Sequence, residues 1–250
     1  MKNSNVLLCD YNKNYNGINI DMIDICNITN KIGIIDGYSN IVESTKLIED
    51  LFENIDRYSI SNAKAMVFMF FINSNSNMEH IVNFLDSIDK ITLKNCEIIF
   101  GTSVNDEIGI DNIGYKLIMA GILQKDLFME KIDLQIINPK NDINIEFYDV
   151  SYALNNKGRV SGYSNIVDCK NLYDDIVLNI PIEDFKNAKT VICSYITNPK
   201  ISMFEISDVM EKLYNELFGE CEIIFGTSST YDLSDNEIGY KILATGILEH

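Results

Sequence analysis

Two uninterrupted stretches dominate the hydrophobic pattern of this chain: Ala65 to Ile72 (AMVFMFFI) and Thr190 to Thr197 (TVICSYIT). Their length, with aromatic and β-branched residues, predicts strands buried on both faces. Helical spacing follows each run. Ile81, Phe84, Leu85 and Ile88 share one face of a helix predicted over Met78 to Ile91, and a partner helix is predicted from about Met203 to Leu217. Strands follow at CEIIFG (Cys96 and Cys221 onward), then an acidic loop, then last strands at Tyr115 to Ala120 and Tyr240 to Thr245. Upstream, Ile32 to Asp36 predicts a short strand and Gly37-Tyr38-Ser39-Asn40 a turn. Val42, Leu47, Ile48, Leu51, Phe52 and Ile55 predict an amphipathic helix over Ile41 to Ile55, and Pro181 ends its counterpart. Further helices are expected to end near Asn30 and Asn155, with Gly33 and Gly158 as C-terminal caps. Val6-Leu7-Leu8 suits a short strand, and Ile132, Leu134 and Ile136 alternate as a strand over Lys131 to Ile137.

The elements come in the same order twice because the sequence does. CEIIFGTS occurs at Cys96 to Ser103 and again at Cys221 to Ser228, an offset of 125 residues. The same offset relates GYSNIV at Gly37 and Gly162, Asn-Ala-Lys at Asn62 and Asn187, and Ile-Gly-Tyr-Lys at Ile113 and Ile238. A period of this size is that of a domain rather than of a solenoid repeat. The expectation is an α/β (α+β) chain of two tandem similar domains, residues 1–125 and 126–250, each a roughly four-stranded mixed sheet with packed helices. Residues Leu123 to Asn141 would join them.

Charge narrows the partners. The 250 residues carry 37 acidic and 20 basic side chains, a formal charge of −17, with no Lys/Arg cluster, which disfavours nucleic acid and anionic membranes. No apolar run approaches a membrane span, and the N-terminus lacks the long apolar region of a signal peptide, so a cytoplasmic location is expected. Cys9, Cys26, Cys96, Cys169, Cys193 and Cys221 include no C-x-x-C pair and read as free thiols. With His80 and His250 alone, no multi-His metal site can be built, and Leu248-Glu249-His250 looks like the start of a purification tag.

The chemistry-bearing pattern is N-x-[DE]-x-x-D: Asn19, Asp21, Asp24 in one copy and Asn144, Glu146, Asp149 in the other. At a helix start such acids cap free N–H groups and meet the helix dipole. Asp106/Glu107 and Asp232/Asp235/Glu237 read as solvated loops without calcium-loop spacing, His80 as a surface residue, and Phe68, Phe70 and Phe71 as core.

The second copy resembles the C-terminal domain of the FtsZ/tubulin family. Ile196-Thr197-Asn198-Pro199-Lys200-Ile201-Ser202-Met203-Phe204-Glu205-Ile206 is similar to the family's I-T-G-G-x-D-L-x-L-x-E-V segment. Ile223-Ile224-Phe225-Gly226-Thr227 is similar to its I-I-F-G-T strand. Leu233-Ser234-Asp235-Asn236-Glu237-Ile238 through Ala244-Thr245-Gly246-Ile247 is similar to L-x-D-E-I-R-V-T-V-I-A-T-G, with one inserted residue. The first copy keeps IIFGT and Ala120-Gly121-Ile122. The Gly-rich loop with which the family's N-terminal domain holds GTP has no counterpart here, nor does a G-x-x-x-x-G-K-[ST] loop. The resemblance implies two copies of the half that does not hold nucleotide: not an enzyme, and with no cofactor. It also implies a role for the acidic pattern, which matches N-x-D-F-A-D-V, the family loop that enters the nucleotide pocket of the next subunit. Asn19, Asp21 and Asp24 match it position by position; Asn144, Glu146 and Asp149 match with Glu in place of the first Asp. The expected partner is FtsZ or another tubulin-like protein in cell division, with self-association through the sheet domains as a further expectation. The alternatives are a stand-alone structural or oligomerising module, or a small-ligand binder in the cleft between the repeats.

Overall fold

The computed structural model describes residues 20, 22–122, 143–216, 218 and 220–248. Asn19, Asp21, the strands expected at Val6-Leu7-Leu8 and Lys131 to Ile137, and the boundary between residues 125 and 126 lie outside them. The first half runs α1 (Met22–Thr29), β1 (Gly33–Glu43), α2 (Leu47–Asn54), α3 (Arg57–Asn62), β2 (Ala65–Ile72), α4 (Glu79–Asp89), β3 (Glu97–Val104) and β4 (Asn112–Ile122). The second half repeats that order as α5 (Phe147–Leu154), β5 (Arg159–Asp168), α6 (Leu172–Asn179), α7 (Ile182–Asn187), β6 (Thr190–Thr197), α8 (Met203–Glu216), β7 (Glu222–Ser229) and β8 (Glu237–Ile247).

The fold class is mixed α/β, and the strands among the described residues form one sheet of eight in the order β3-β2-β4-β1-β5-β8-β6-β7. Among the described residues only β2–β3 and β6–β7 pair in parallel, each crossover made by a helix, α4 or α8. The four-strand sets meet where β1 pairs antiparallel with β5. Both faces of β2 and β6 are buried, as their apolar runs require. Ala65, Val67, Met69 and Phe71 point to a core shared by both halves, under α1 and α5, that includes Ile35, Val160, Ile192 and Leu243. Met66, Phe68, Phe70 and Ile72 point to the opposite face, under α2, α3 and α4, where the Phe68 and Phe70 rings meet Phe84 edge-on. The second half has its own matching core under α6, α7 and α8.

Three expectations are corrected. Gly37-Tyr38-Ser39-Asn40 is not a turn but the middle of β1, with Gly37 opposite Ile118 of β4. A Cβ at Gly37 would stand 2.4 Å from the Leu117 carbonyl oxygen, so glycine marks close approach of two backbones, not a reversal. The helix expected over Ile41 to Ile55 forms only from Leu47, because Ile41, Val42 and Glu43 still pair with β4. Gly33 and Gly158 are not helix caps. They sit at the entries of β1 and β5 with φ of 126° and 110°, where a Cβ would meet the Ile122 and Ile247 carbonyl oxygens at 2.9 and 2.4 Å.

The Ala-Gly-Ile and Ala-Thr-Gly-Ile ends of the last strands have a common geometric cause. Ala120 and Gly121 together oppose Ile35, and Thr245 and Gly246 oppose Val160, a bulge in each half with its glycine at φ 69°.

Candidate functional site

The acidic pattern falls at the starts of α1 and α5, and the second copy is described almost whole. Ile143 exchanges backbone hydrogen bonds with Thr227 on the outer edge of β7, at 3.1 and 3.0 Å. Two residues on, Ile145 is buried and lies over Gly226, where a Cβ would approach the Ile145 Cγ1 to 2.5 Å. The glycine of IIFGT is therefore the seat of this strap. With Ile143 on the strand edge and Ile145 inward, Asn144 and Glu146 are left exposed. Glu146 is the N-cap of α5. The Glu146 N–H donates to the Asp149 Oδ2 at 2.8 Å, and the Glu146 side chain accepts from the Asp149 N–H, a reciprocal capping box. Asp149 is thereby committed within the chain, and Asn144 and Glu146 form the outward part. In the first copy, Asp24 lies half-buried in the first turn of α1; Asn19 and Asp21 are outside the described residues.

An aromatic pair that the sequence reading passed over adjoins the strap. Tyr148 and Tyr152 stack on the outer side of α5, centroids 6.4 Å apart, with Tyr148 72% exposed. A hydrogen bond to Glu222 holds the Tyr152 phenol above its ordinary pKa. Their i, i+4 spacing beside the acidic motif was the available signal.

The other candidates resolve into loop structure. Asp106 accepts from the Ser74 N–H at 2.9 Å, which lowers its pKa; Glu237 accepts from the Ser234 N–H at 3.0 Å and is lowered likewise. Asp235 pairs with Lys200 at 2.6 Å, Asp232 accepts from the Thr230 hydroxyl, and the Glu107 N–H donates to Asn105. His80 lies half-buried in the first turn of α4. Among the described residues no group of three or more His, Cys, Asp or Glu could hold a metal ion, and no helix is long and apolar enough to cross a membrane. Burial pushes the Cys96 thiol up to about 11 and raises Cys193 and Cys221, the opposite of what a nucleophile needs. Between the halves, β1 pairs with β5 and one core is shared.

Two tyrosine–carboxylate latches recur at equivalent places. Asp50 accepts from the Tyr115 hydroxyl at 2.5 Å and from the Asn40 amide at 2.9 Å. Asp175 likewise accepts from the Tyr240 hydroxyl and from the Asn165 amide. Burial and the adjoining carboxylate raise both phenols, and burial pushes Tyr163 up to about 12. These groups tie α2 and α6 to the sheet.

No protein-family model matches the chain. Over 118 residues it is 29% identical to the cell division protein FtsZ of Neisseria meningitidis (serogroups A and B) and of Neisseria gonorrhoeae, covering 44% of this chain and 30% of each relative. The chain therefore spans under a third of the length of these curated relatives, and over that part it is related to FtsZ. Among solved structures, an empty FtsZ dimer from M. jannaschii is similar at 21% identity and a TM-score of 0.37, covering 44% of this chain and 33% of that one. A tryptophan-to-tyrosine mutant of M. jannaschii FtsZ is similar at 19% identity and a TM-score of 0.38, covering 44% and 34%.

Proposed function

We propose that this chain is a non-catalytic, FtsZ-related protein that docks on FtsZ or another tubulin-like filament and modulates it. In this reading it arose by tandem duplication of one FtsZ C-terminal-domain-like unit and has no GTP site of its own. The observation that carries the reading is the strap on β7. Ile143 and Ile145 fix the segment to the sheet edge and leave Asn144 and Glu146 outward, at the positions that match the family loop entering a neighbour's nucleotide pocket. The relationship to FtsZ over 44% of the chain supports the choice of partner. A chain that inserts such a loop but offers no pocket in return acts as a cap: it occupies a filament end and does not extend it.

The test is co-sedimentation with polymerised FtsZ of the source organism. The native chain is expected in the pellet. A variant carrying Asp21→Asn, Asp24→Asn, Glu146→Gln and Asp149→Asn is expected in the supernatant, since these amides lose the charge while the side chains at positions 146 and 149 can still accept in the α5 capping box. Equal pelleting of both proteins, or of neither, would remove the reading.

A further inference from the structure

The β1–β5 seam carries an asymmetry between the two halves. Its pairs are Gly33↔Ser164, Ile34↔Tyr163, Ile35↔Gly162, Asp36↔Ser161 and Gly37↔Val160. Asp36 and Ser161 are equivalent under the 125-residue offset, so a pseudo-twofold axis passes between them. On one face, Ile35 lies opposite Gly162 and Val160 opposite Gly37, large against small on both sides of the axis. Each half also adds a hydroxyl contact: Ser39 meets the Gly158 backbone and Ser164 donates to the Lys31 carbonyl oxygen at 3.0 Å. The same register between two copies of the first half would again set Ile35 against Gly37, large against small, and Ser39 beside the backbone at Gly33. This face cannot tell the halves apart.

The other face can. Asp36, Ser161 and Arg159 share it, Arg159 lying on the diagonal from Asp36. The Arg159 Nη2 bonds the Asp184 Oδ2 at 2.7 Å; burial raises the Asp36 pKa, and the Arg159 charge and the Gly37 N–H, which donates to the Asp36 carboxylate at 2.8 Å, oppose that rise. The equivalents of Asp36, Arg159 and Asp184 are Ser161, Ile34 and Ser59, so the first half brings a carboxylate to the axis and no cation to meet it.

We propose that Asp36 and Arg159 form a pairing code: the β1 edge accepts the second half of the chain and rejects a second copy of itself. Two first halves joined at β1 would place Asp36 against Asp36 with no arginine between them, and like charges directly opposite each other oppose pairing. The code matters when the chain folds, because β1 is made before its partner β5 and its edge would template pairing with other chains.

The test refolds the full chain from denaturant at high concentration and reads mass by light scattering. Asp36→Ser copies the residue at the equivalent position and removes the repulsion. It is expected to raise the fraction of species larger than those of the native chain about tenfold. Asp36→Lys weakens the seam against Arg159 but restores like charge at the axis, and is expected to give no such rise. Asp36→Lys combined with Arg159→Asp reverses the pair and is expected to recover native mass, with a lowered Tm because Asp184 loses its Arg159 partner. No rise with Asp36→Ser would overturn the proposal. So would a rise with Asp36→Lys equal to that of Asp36→Ser, since seam weakening alone would then explain association.

Discussion

Replacing Gly37 by alanine puts the structure of β1 to a quantitative test. The new Cβ would stand 2.4 Å from the Leu117 carbonyl oxygen and 3.3 Å from both the Ile118 Cα and the Val160 Cβ. The nearest atom is backbone, so no side-chain rotation relieves it, and β1 and β4 must part by roughly 0.6 Å to reach a tolerable contact. Overpacking of this kind costs about 1–3 kcal/mol, and weakening of the adjoining ladder hydrogen bonds adds about 1 kcal/mol. A loss of about 3 kcal/mol corresponds to a fall in Tm of about 6–12 °C for a chain of this size. Gly162→Ala should behave alike, with its Cβ 2.4 Å from the Ile242 carbonyl oxygen. Gly109→Ala is the control: its Cβ would meet only the Asn112 side chain at 3.3 Å, and the change should stay within about 0.5 kcal/mol. The assay is urea unfolding followed by circular dichroism. A Gly37→Ala loss below about 0.5 kcal/mol, or one equal to that of Gly109→Ala, would refute the close-approach argument.

Further outcomes follow from single groups. Tyr240→Phe removes a donor from Asp175 and should cost about 1–3 kcal/mol in urea unfolding, with Tyr115→Phe similar through Asp50. Glu146→Ala should cost about 0.5–2 kcal/mol and speed amide exchange in the first turn of α5, whereas Glu146→Gln should keep most of the cap. Burial raises the Asp36 pKa above 3.8, so the folded state holds its proton at a pH where the unfolded chain has lost it. Its contribution to stability therefore falls as pH rises through the folded pKa and recovers as pH drops towards 3.8. A Tm–pH series should show this rise on acidification in the native chain relative to Asp36→Asn; parallel curves would contradict it.

What the sequence made legible was what depends on local pattern. The runs at Ala65 to Ile72 and Thr190 to Thr197 are strands because residues pointing to either face of a covered sheet must be apolar. The second acidic pair was legible as a helix cap, because Glu146 and Asp149 have capping-box spacing. The continuation of β1 beyond Asp36, and of β5 likewise, was hidden because Ser39, Asn40, Ser164 and Asn165 are polar residues inside strands. Their cost is met by distant groups, Asp50 for Asn40, Asp175 for Asn165 and the Lys31 carbonyl for Ser164, which no local window contains. Helices α3 and α7 were missed because six residues with one or two buried anchors, Ile60 or Phe185, leave no periodic signal. The repeat announced two similar units, but their fusion into one sheet depends on the β1–β5 register. The strap was half visible: the motif stood in the sequence, and its seating by Ile145 over Gly226 required the fold.

The most direct test of the proposed role is GTP turnover by FtsZ of the source organism with this chain added at increasing ratios. Docking at filament ends predicts that turnover and pelleted polymer change at well below one chain per FtsZ. The change should disappear when Asp21, Asp24, Glu146 and Asp149 are replaced by their amides. Turnover and polymer mass that stay constant up to equal concentrations would contradict the account and leave the strap as a device that closes the edge of a sheet.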